Sequence, residues 1–137
     1  MSKYSELRTL LTNERLLVDT LDGLGYSPVC VSGGTSLVGY MGDERTEQAT
    51  IIIRRNQLNS ASNDIGFTRG PDGTFRAIIS DYDRSIGFDD AWLSRLAQAY
   101  KERQTMSVAN AKGYVFKGRE VVQTPQGKTV RLRFAVR

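Results

Sequence analysis

The run Ala49-Thr50-Ile51-Ile52-Ile53 opens the stretch of the chain that decides the fold. Two further β-rich runs follow it, Asp64-Ile65-Gly66-Phe67-Thr68 and Phe75-Arg76-Ala77-Ile78-Ile79. The segment Arg69-Gly70-Pro71-Asp72-Gly73 joins the second run to the third, and it contains a proline that sets φ and glycines that accept positive φ. The pattern predicts a β-hairpin over residues 64–80 and a three-stranded antiparallel meander over residues 49–80.

Two helices are predicted outside the meander. Asn13 is a good N-cap residue, and the leucines that follow it keep helical spacing, so we expect a helix over about residues 13–23. Asp89 or Asp90 can cap a second helix, which we expect to weaken after Arg103.

Shorter strands are predicted before the meander. We expect strands over residues 26–31 and 37–41, joined by a turn or loop at residues 32–36. Residues 4–11 fit either a first strand or a helical segment, and residues 80–85 are predicted to form a loop.

The end of the chain is predicted to form a second hairpin, with one arm over residues 114–122 and a turn at residues 124–127. In the other arm, apolar residues alternate with polar ones, which is the two-residue period of a strand. The alternation places Arg131 and Arg133 on one face and an apolar row on the other.

These elements predict an α+β fold over residues 1–137. We expect a single two-layer domain, mainly antiparallel sheet with two helices packed on one face. Its buried core is expected to contain Ile51, Ile53, Ile65, Phe67, Ile78, Leu93, Leu96, Leu132 and Phe134.

The composition excludes several classes of catalytic site. The chain has no histidine, which removes the commonest general base, the Ser-His and Cys-His nucleophile systems and most zinc and iron sites. Its one cysteine, Cys30, cannot form an intramolecular disulfide, and the apolar residues around it predict a buried structural thiol. We therefore expect no catalytic residues, no metal and no cofactor.

Charge is unevenly distributed along the chain. The net charge is +4, but residues 112–137 carry seven basic side chains against Glu120 alone, so the first 111 residues sum to −2. This asymmetry indicates an anionic partner for the C-terminal end. No apolar run approaches the roughly 20 residues of a membrane span, and we expect a cytoplasmic protein, in the host cytoplasm if it is viral.

Several stretches resemble a family known as hypothetical chloroplast frame 35, an uncharacterised cyanobacterial and plastid family grouped under a domain of unknown function. The most specific pieces are Asp64-Ile65-Gly66-Phe67 and Gly39-Tyr40-x-Gly42. The broader resemblance also rests on the segments 1–9, 24–26, 51–53, 96–100 and 130–132, and on Asp81.

The resemblance implies one small α+β domain and a strand at residues 4–10. It implies no catalytic residues, and it implies a soluble protein of cyanobacteria, plastids or phages. The chain departs from the family pattern in its loop at residues 32–36 and in its basic final strand.

The glycine-rich segment at residues 32–36 is one candidate binding site. Backbone N–H groups of Ser32, Gly33, Gly34 and Thr35 could surround a phosphate, although the spacing is not that of a P-loop. A plain turn is the alternative interpretation.

Basic and acidic side chains give further candidates. Arg54 and Arg55 end a strand, so we expect one on each face, with one reaching a cleft. Arg131 and Arg133 could bind phosphates or protect an edge strand, and Tyr82 could stack on a base or lie in the core.

The aspartates have structural alternatives to metal binding or acid–base chemistry. Asp81 and Asp83, with Asp89 and Asp90, could hold Mg²⁺, but the last two are also good helix caps. Asp64 is expected to cap a turn or to pair with an arginine.

Together these patterns predict a non-enzymatic binding protein. Its ligand is expected to be a small anion, most specifically a nucleotide, as in a phage protein that sequesters a signalling nucleotide. The alternative is a protein or nucleic-acid adaptor that uses the basic C-terminal hairpin. We also expect a homo-oligomer and no membrane partner.

Overall fold

The computed structural model describes residues 2–136 and shows an α+β protein. The described strands are β1 (Tyr4–Arg8), β2 (Val29–Val38), β3 (Glu44–Ile53), β4 (Ile65–Arg69), β5 (Phe75–Ser80), β6 (Tyr114–Thr124) and β7 (Gly127–Val136). The described helices are α1 (Glu14–Gly23), α2 (Asp81–Ser85), α3 (Asp90–Ala111) and one 3₁₀ turn (Arg55–Gln57). In this described part of the chain, no helix has the length and apolarity needed to cross a membrane.

The chain divides into two compact units, Met1–Gln98 and Ala99–Arg137. The first unit contains a five-stranded antiparallel sheet with the strand order β1-β5-β4-β3-β2. The second unit contains the hairpin of β6 and β7 and the last part of α3.

The predicted meander lies at the centre of the five-stranded sheet. Strand β4 pairs with β3 on one side, where Gly66 faces Ile52, and with β5 on the other, where Gly66 faces Ile78. Strand β1 pairs with β5, so the ambiguous segment near the N-terminus is a strand, as the family resemblance implies.

Both faces of the central strands are buried. Ile51, Ile53 and Phe67 are inaccessible on one face, where Trp92 of α3 lies 6.5 Å from the Phe67 ring. The opposite face carries a smaller cluster of Leu37, Ala49, Ile52 and Ile78, with Tyr4 packed against it. Three residues predicted to be in the core are only half-buried: Leu93, Leu132 and Phe134.

The predicted helix caps are confirmed. Asn13 Oδ1 accepts the Leu16 N–H at 2.9 Å, and Asp89 Oδ1 accepts the Trp92 N–H at 3.1 Å. The helix that Asp89 caps does not end near Arg103 but continues as one 22-residue element.

The loop predicted at residues 80–85 is wrong, because a short helix, α2, occupies it. Ser80 caps this helix, since its side-chain oxygen accepts the Asp83 N–H at 3.1 Å. In return, the Ser80 hydroxyl donates to the buried Asp83 carboxylate at 2.6 Å. This reciprocal contact gives the free Asp83 N–H of the first helical turn a hydrogen-bond acceptor. Both side chains are buried, so the contact depends on the tertiary structure.

The loop predicted at residues 32–36 is also wrong, because β2 runs through it. Cys30 pairs with Ile51 and Thr35 with Ala49, so the residues between Cys30 and Thr35 lie opposite Thr50 alone. The excess is accommodated as a bulge in which Gly33 and Gly34 take φ of 81° and 85°, values that favour glycine. The turn between β2 and β3 lies instead at residues 39–43.

The buried thiol predicted at Cys30 is wrong, because this cysteine is exposed. It lies on β2, which is the edge strand of the sheet next to the bulge, so its apolar neighbours in sequence do not enclose it. Desolvation, and then the nearby Glu14 carboxylate, raise the pKa of the thiol and make its thiolate scarcer near neutral pH.

Candidate functional site

The Asp64 carboxylate lies on the lining of a cavity in the first unit. It is fully buried, and its Oδ2 accepts Arg54 Nη1 at 2.7 Å and the Val38 N–H at 2.8 Å. Its Oδ1 accepts the Arg55 N–H at 2.7 Å. Three donors therefore compensate a charge that would be very costly to bury alone. The predicted pairing of Asp64 with an arginine is confirmed.

The backbone around Asp64 ties three parts of the sheet together. The Asp64 N–H donates to the Val38 carbonyl at 2.9 Å, and the Tyr4 hydroxyl donates to the Asp64 carbonyl at 2.7 Å. Burial, and then the Asp64 carboxylate, raise the pKa of the Tyr4 hydroxyl well above its usual range. Tyr4 therefore remains protonated and serves as a donor.

The two most specific pieces of the family resemblance meet at this point. The Tyr40 N–H donates to Asn63 Oδ1 at 3.0 Å, immediately before Asp64. The turn that contains Gly39, Tyr40 and Gly42 is thereby fixed against the segment that begins at Asp64. Residues more than twenty positions apart are joined here by hydrogen bonds rather than by strand pairing.

A cavity of about 610 Å³ opens beside this cluster. It is lined by Thr35, Ser36, Val38, Gly42, Glu44, Arg54, Arg55, Asn56 and Asp64. Its volume lies within the range of small-molecule sites. We call this cavity the Arg54 groove. Although Asp64 is inaccessible, the side chain of Arg54 is 33% exposed, so the ion pair presents its cationic partner to the outside.

Arg54 and Arg55 line the same groove, so the prediction that they occupy opposite faces is wrong. Strand β3 ends at Ile53, and Arg55 begins the 3₁₀ turn, so the strand alternation no longer applies. Arg55 donates from Nε to the Ser62 carbonyl at 3.0 Å and from Nη2 to the Ser60 carbonyl at 2.8 Å. These contacts hold the side chain through neutral acceptors and leave its positive charge on the groove wall.

The predicted binding residues 32–35 do not form one site, because the bulge of β2 directs them to different places. Thr35 lines the Arg54 groove, whereas Ser32 and Gly33 line a separate cavity of about 390 Å³ with Glu14, Thr50, Thr68, Arg69 and Phe75. Gly34 faces the edge of β3, where an added Cβ would lie 3.4 Å from the Ala49 carbonyl oxygen. Their backbone groups therefore do not surround one shared space.

The other predicted site residues lie elsewhere. Tyr82 is an exposed residue of α2, and its N–H donates to Ser2 Oγ at 2.8 Å. Arg131 and Arg133 are exposed residues of β7 in the second unit. The structure therefore brings together Thr35 and Arg54 among the predicted set.

Four residues of the groove lining escaped the sequence-based prediction of the site: Val38, Gly42, Glu44 and Asn56. Tyr40 is exposed in the turn whose Gly42 lines the groove. The sequence signal that could have indicated the groove is the presence of two specific motifs of the family resemblance, Gly39-Tyr40-x-Gly42 and Asp64-Ile65-Gly66-Phe67. Each motif contains a glycine and a polar residue next to the end of a strand. Only the tertiary structure shows that they face one cavity.

The aspartates have structural partners. Asp83 is buried, and its Oδ2 accepts the Asn63 N–H at 3.0 Å, whereas the exposed Asp81 accepts from the Ser5 hydroxyl at 3.1 Å. Asp89 caps α3. Within residues 2–136, no cluster of three or more potential metal-binding side chains is formed.

Comparisons with known proteins identify the family but no function. No curated protein and no solved structure matches this chain. A family model described as "Protein of unknown function (DUF1257)" matches residues 20–132, which is most of the chain, and the protein therefore belongs to this family.

Proposed function

We propose that this protein is a non-enzymatic binding protein whose Arg54 groove captures a small anionic ligand, most specifically a nucleotide. The observation that carries the proposal is the geometry of Arg54. Its Nη1 is fixed by a fully buried carboxylate at 2.7 Å, while a third of the side chain remains exposed at the groove. A guanidinium held in this way loses little conformational entropy when it binds an anion.

The groove lining suits a ligand with an anionic end and a donor-bearing end. Arg55 adds a second positive charge, and Thr35 and Ser36 add hydroxyls that can donate to phosphate oxygens. Glu44 on the same lining offers an acceptor for an amino or hydroxyl group. A nucleotide carries both kinds of group, whereas inorganic phosphate carries only the first.

An aromatic residue, Tyr40, belongs to the turn whose Gly42 lines the groove. Tyr40 is exposed, and its backbone is fixed by the hydrogen bond to Asn63. Stacking of a base on an aromatic ring contributes about 1–3 kcal/mol. The absence of histidine from the sequence favours capture over catalysis.

Thermal denaturation with a panel of ligands tests this proposal. The panel contains adenosine, adenine and guanine mononucleotides, cyclic mono- and dinucleotides, and inorganic phosphate. A ligand at about 100 times its dissociation constant stabilises the fold by roughly 2.7 kcal/mol. We expect at least one nucleotide to raise the melting temperature, and adenosine to have no effect. If no nucleotide stabilises the protein at millimolar concentration, the proposal is wrong.

Substituting Arg54 with lysine should weaken binding of the stabilising nucleotide at least about tenfold, which is roughly 1.4 kcal/mol. Lysine retains a cation beside Asp64 but lacks the second edge of the guanidinium that would bind phosphate. Isothermal titration calorimetry measures the effect. The matched control is Arg15→Lys, because Arg15 also pairs with a carboxylate, Asp19, but is 87% exposed on α1. Equal affinities for the two variants would remove Arg54 from the site.

A second candidate function is supported by the basic face of the C-terminal hairpin. Arg131 and Arg133 leave the same face of β7. The Arg131 Nη1 atom is as far as 4.0 Å from Oε1 of its exposed partner Glu120. An ion pair this long and this exposed contributes little, so both arginines remain available to a polyanion. The alternative proposal is therefore an adaptor that binds nucleic acid or an acidic protein through this face.

Replacing Arg131 and Arg133 together with alanine should keep the melting temperature within a few degrees, because both side chains are exposed. Binding of a fluorescent single-stranded oligonucleotide should weaken at least about tenfold. The salt slope, which is the steepness with which the logarithm of the binding constant falls with the logarithm of salt concentration, should decrease by about 1.4. Fluorescence anisotropy over a range of salt concentrations provides both quantities. An unchanged salt slope would mean that these arginines only protect the edge of the hairpin.

A further inference from the structure

The C-terminal hairpin has two chemically different faces. On one face, the paired residues are Tyr114 with Val136, Phe116 with Phe134, Val121 with Val130 and Arg119 with Leu132. We call this surface the apolar hairpin face. The reverse face contains Arg131 paired with Glu120 and Arg133 paired with Gly118.

The apolar hairpin face is only partly covered within the second unit. Helix α3 contributes Val108 and Ala109 to a cavity of about 360 Å³ that Tyr114 and Phe134 also line. Beyond this cavity, Phe116 is 43% exposed, Val121 51% and Val136 79%. A two-stranded hairpin is marginally stable by itself, so an exposed apolar face of this length calls for a further partner.

Charge decides which partner fits. Arg119, which pairs with Leu132, is the cation at the centre of this face. Its Nη2 donates to Glu102 Oε1 at 2.9 Å, so its charge is compensated. Three further cations lie near the face: Lys117 in the bulge of β6 beside Phe116, Lys112 on the cavity wall and Lys128 beside the hairpin turn. The centre is therefore apolar and charge-compensated, with a polar rim, which is the composition of a protein interface.

We propose that a second copy of this chain packs on the apolar hairpin face, related to the first by a twofold axis. An acidic peptide or a nucleic acid would instead be drawn to Arg131 and Arg133 on the reverse face. A second copy of a chain with net charge +4 meets the least repulsion where the cations are compensated. A twofold axis places each apolar face against its identical counterpart.

The size of the face is sufficient for this arrangement. Ten residues of strand extend about 33 Å, and two strands with their side chains cover a width of about 15 Å. Two such faces would bury roughly 1,000 Å² together, which is the lower bound for a specific interface. Val108 of α3, which is exposed and shares a cavity with Tyr114 and Phe134, extends the apolar surface at its border.

Sedimentation velocity of the full chain and two single variants tests the inference. The variant Val121→Glu places a charge within the apolar hairpin face, whereas Thr129→Glu places the same charge at an exposed position of the reverse face. Both positions are exposed, so neither change should unfold the hairpin, and circular dichroism verifies this. We expect a dimeric wild type, a dimeric Thr129→Glu variant and a dimer dissociation constant at least about 100-fold higher for Val121→Glu, because the twofold axis makes the dimer bury this charge twice, once from each copy.

Two outcomes would overturn the inference. One is a wild-type protein that sediments as a monomer up to about 100 μM, well above the dissociation constants of stable dimers. The other is a Val121→Glu variant that retains the wild-type mass, since the interface would then lie elsewhere. Neither outcome depends on the ligand of the Arg54 groove.

Discussion

Replacing Asp64 with asparagine is expected to lower the free energy of unfolding by about 3–5 kcal/mol. The carboxylate is fully buried and accepts three hydrogen bonds, from Arg54 Nη1 and from the N–H groups of Val38 and Arg55. An asparagine supplies one acceptor oxygen and directs its amide donors at an N–H group. The substitution also leaves the Arg54 guanidinium without its buried counter-charge.

Urea unfolding followed by tryptophan fluorescence measures this loss, because Trp92 is buried in the same unit. The control is Asp19→Asn, which removes an exposed carboxylate from an ion pair within α1 and should cost no more than about 1 kcal/mol. A loss below about 1 kcal/mol for Asp64→Asn would show that the buried ion pair does not hold the sheet and the groove together.

The parts of the fold that were predicted correctly are those with local signals. The meander has a proline–glycine turn and alternating or continuous apolar runs, and α1 has an N-cap in Asn13. The parts that were predicted wrongly depend on distant partners. Residues 32–36 have the composition of a loop, but pairing with β3 extends a strand through them, and the helix at residues 81–85 begins because Ser80 and Asp83 bond each other inside the protein.

The candidate site was predictable only in part for a similar reason. Arg54 was recognisable as an arginine at the end of a strand, and Asp64 as a carboxylate with an arginine partner. That both arginines line one groove follows from the end of β3 at Ile53, which sequence alternation does not reveal. The exposure of Cys30 likewise follows from its place on an edge strand.

Replacing Gly66 with alanine should destabilise the protein by about 1–3 kcal/mol. An added Cβ at this position would lie 2.6 Å from Ala49 Cβ and 2.9 Å from Leu37 Cδ2, closer than carbon atoms pack. Both neighbours are buried, so the strain is relieved only by moving β2 or β3. The glycine in Asp64-Ile65-Gly66-Phe67 thus provides space on one face, while Ile65 and Phe67 fill the core on the other.

The matched control is Gly118→Ala, a second strand glycine outside the positive-φ region. An added Cβ there would lie 3.2 Å from the Arg133 guanidinium, whose flexible side chain can move aside. We expect this control to change the free energy of unfolding by no more than about 0.5 kcal/mol. Urea unfolding of both variants gives the comparison, and equal losses would mean that Gly66 is required for strand geometry rather than for space. Because Leu37 lies between Ser36 and Val38, a displaced β2 would also distort the Arg54 groove, so Gly66→Ala should weaken ligand binding together with stability.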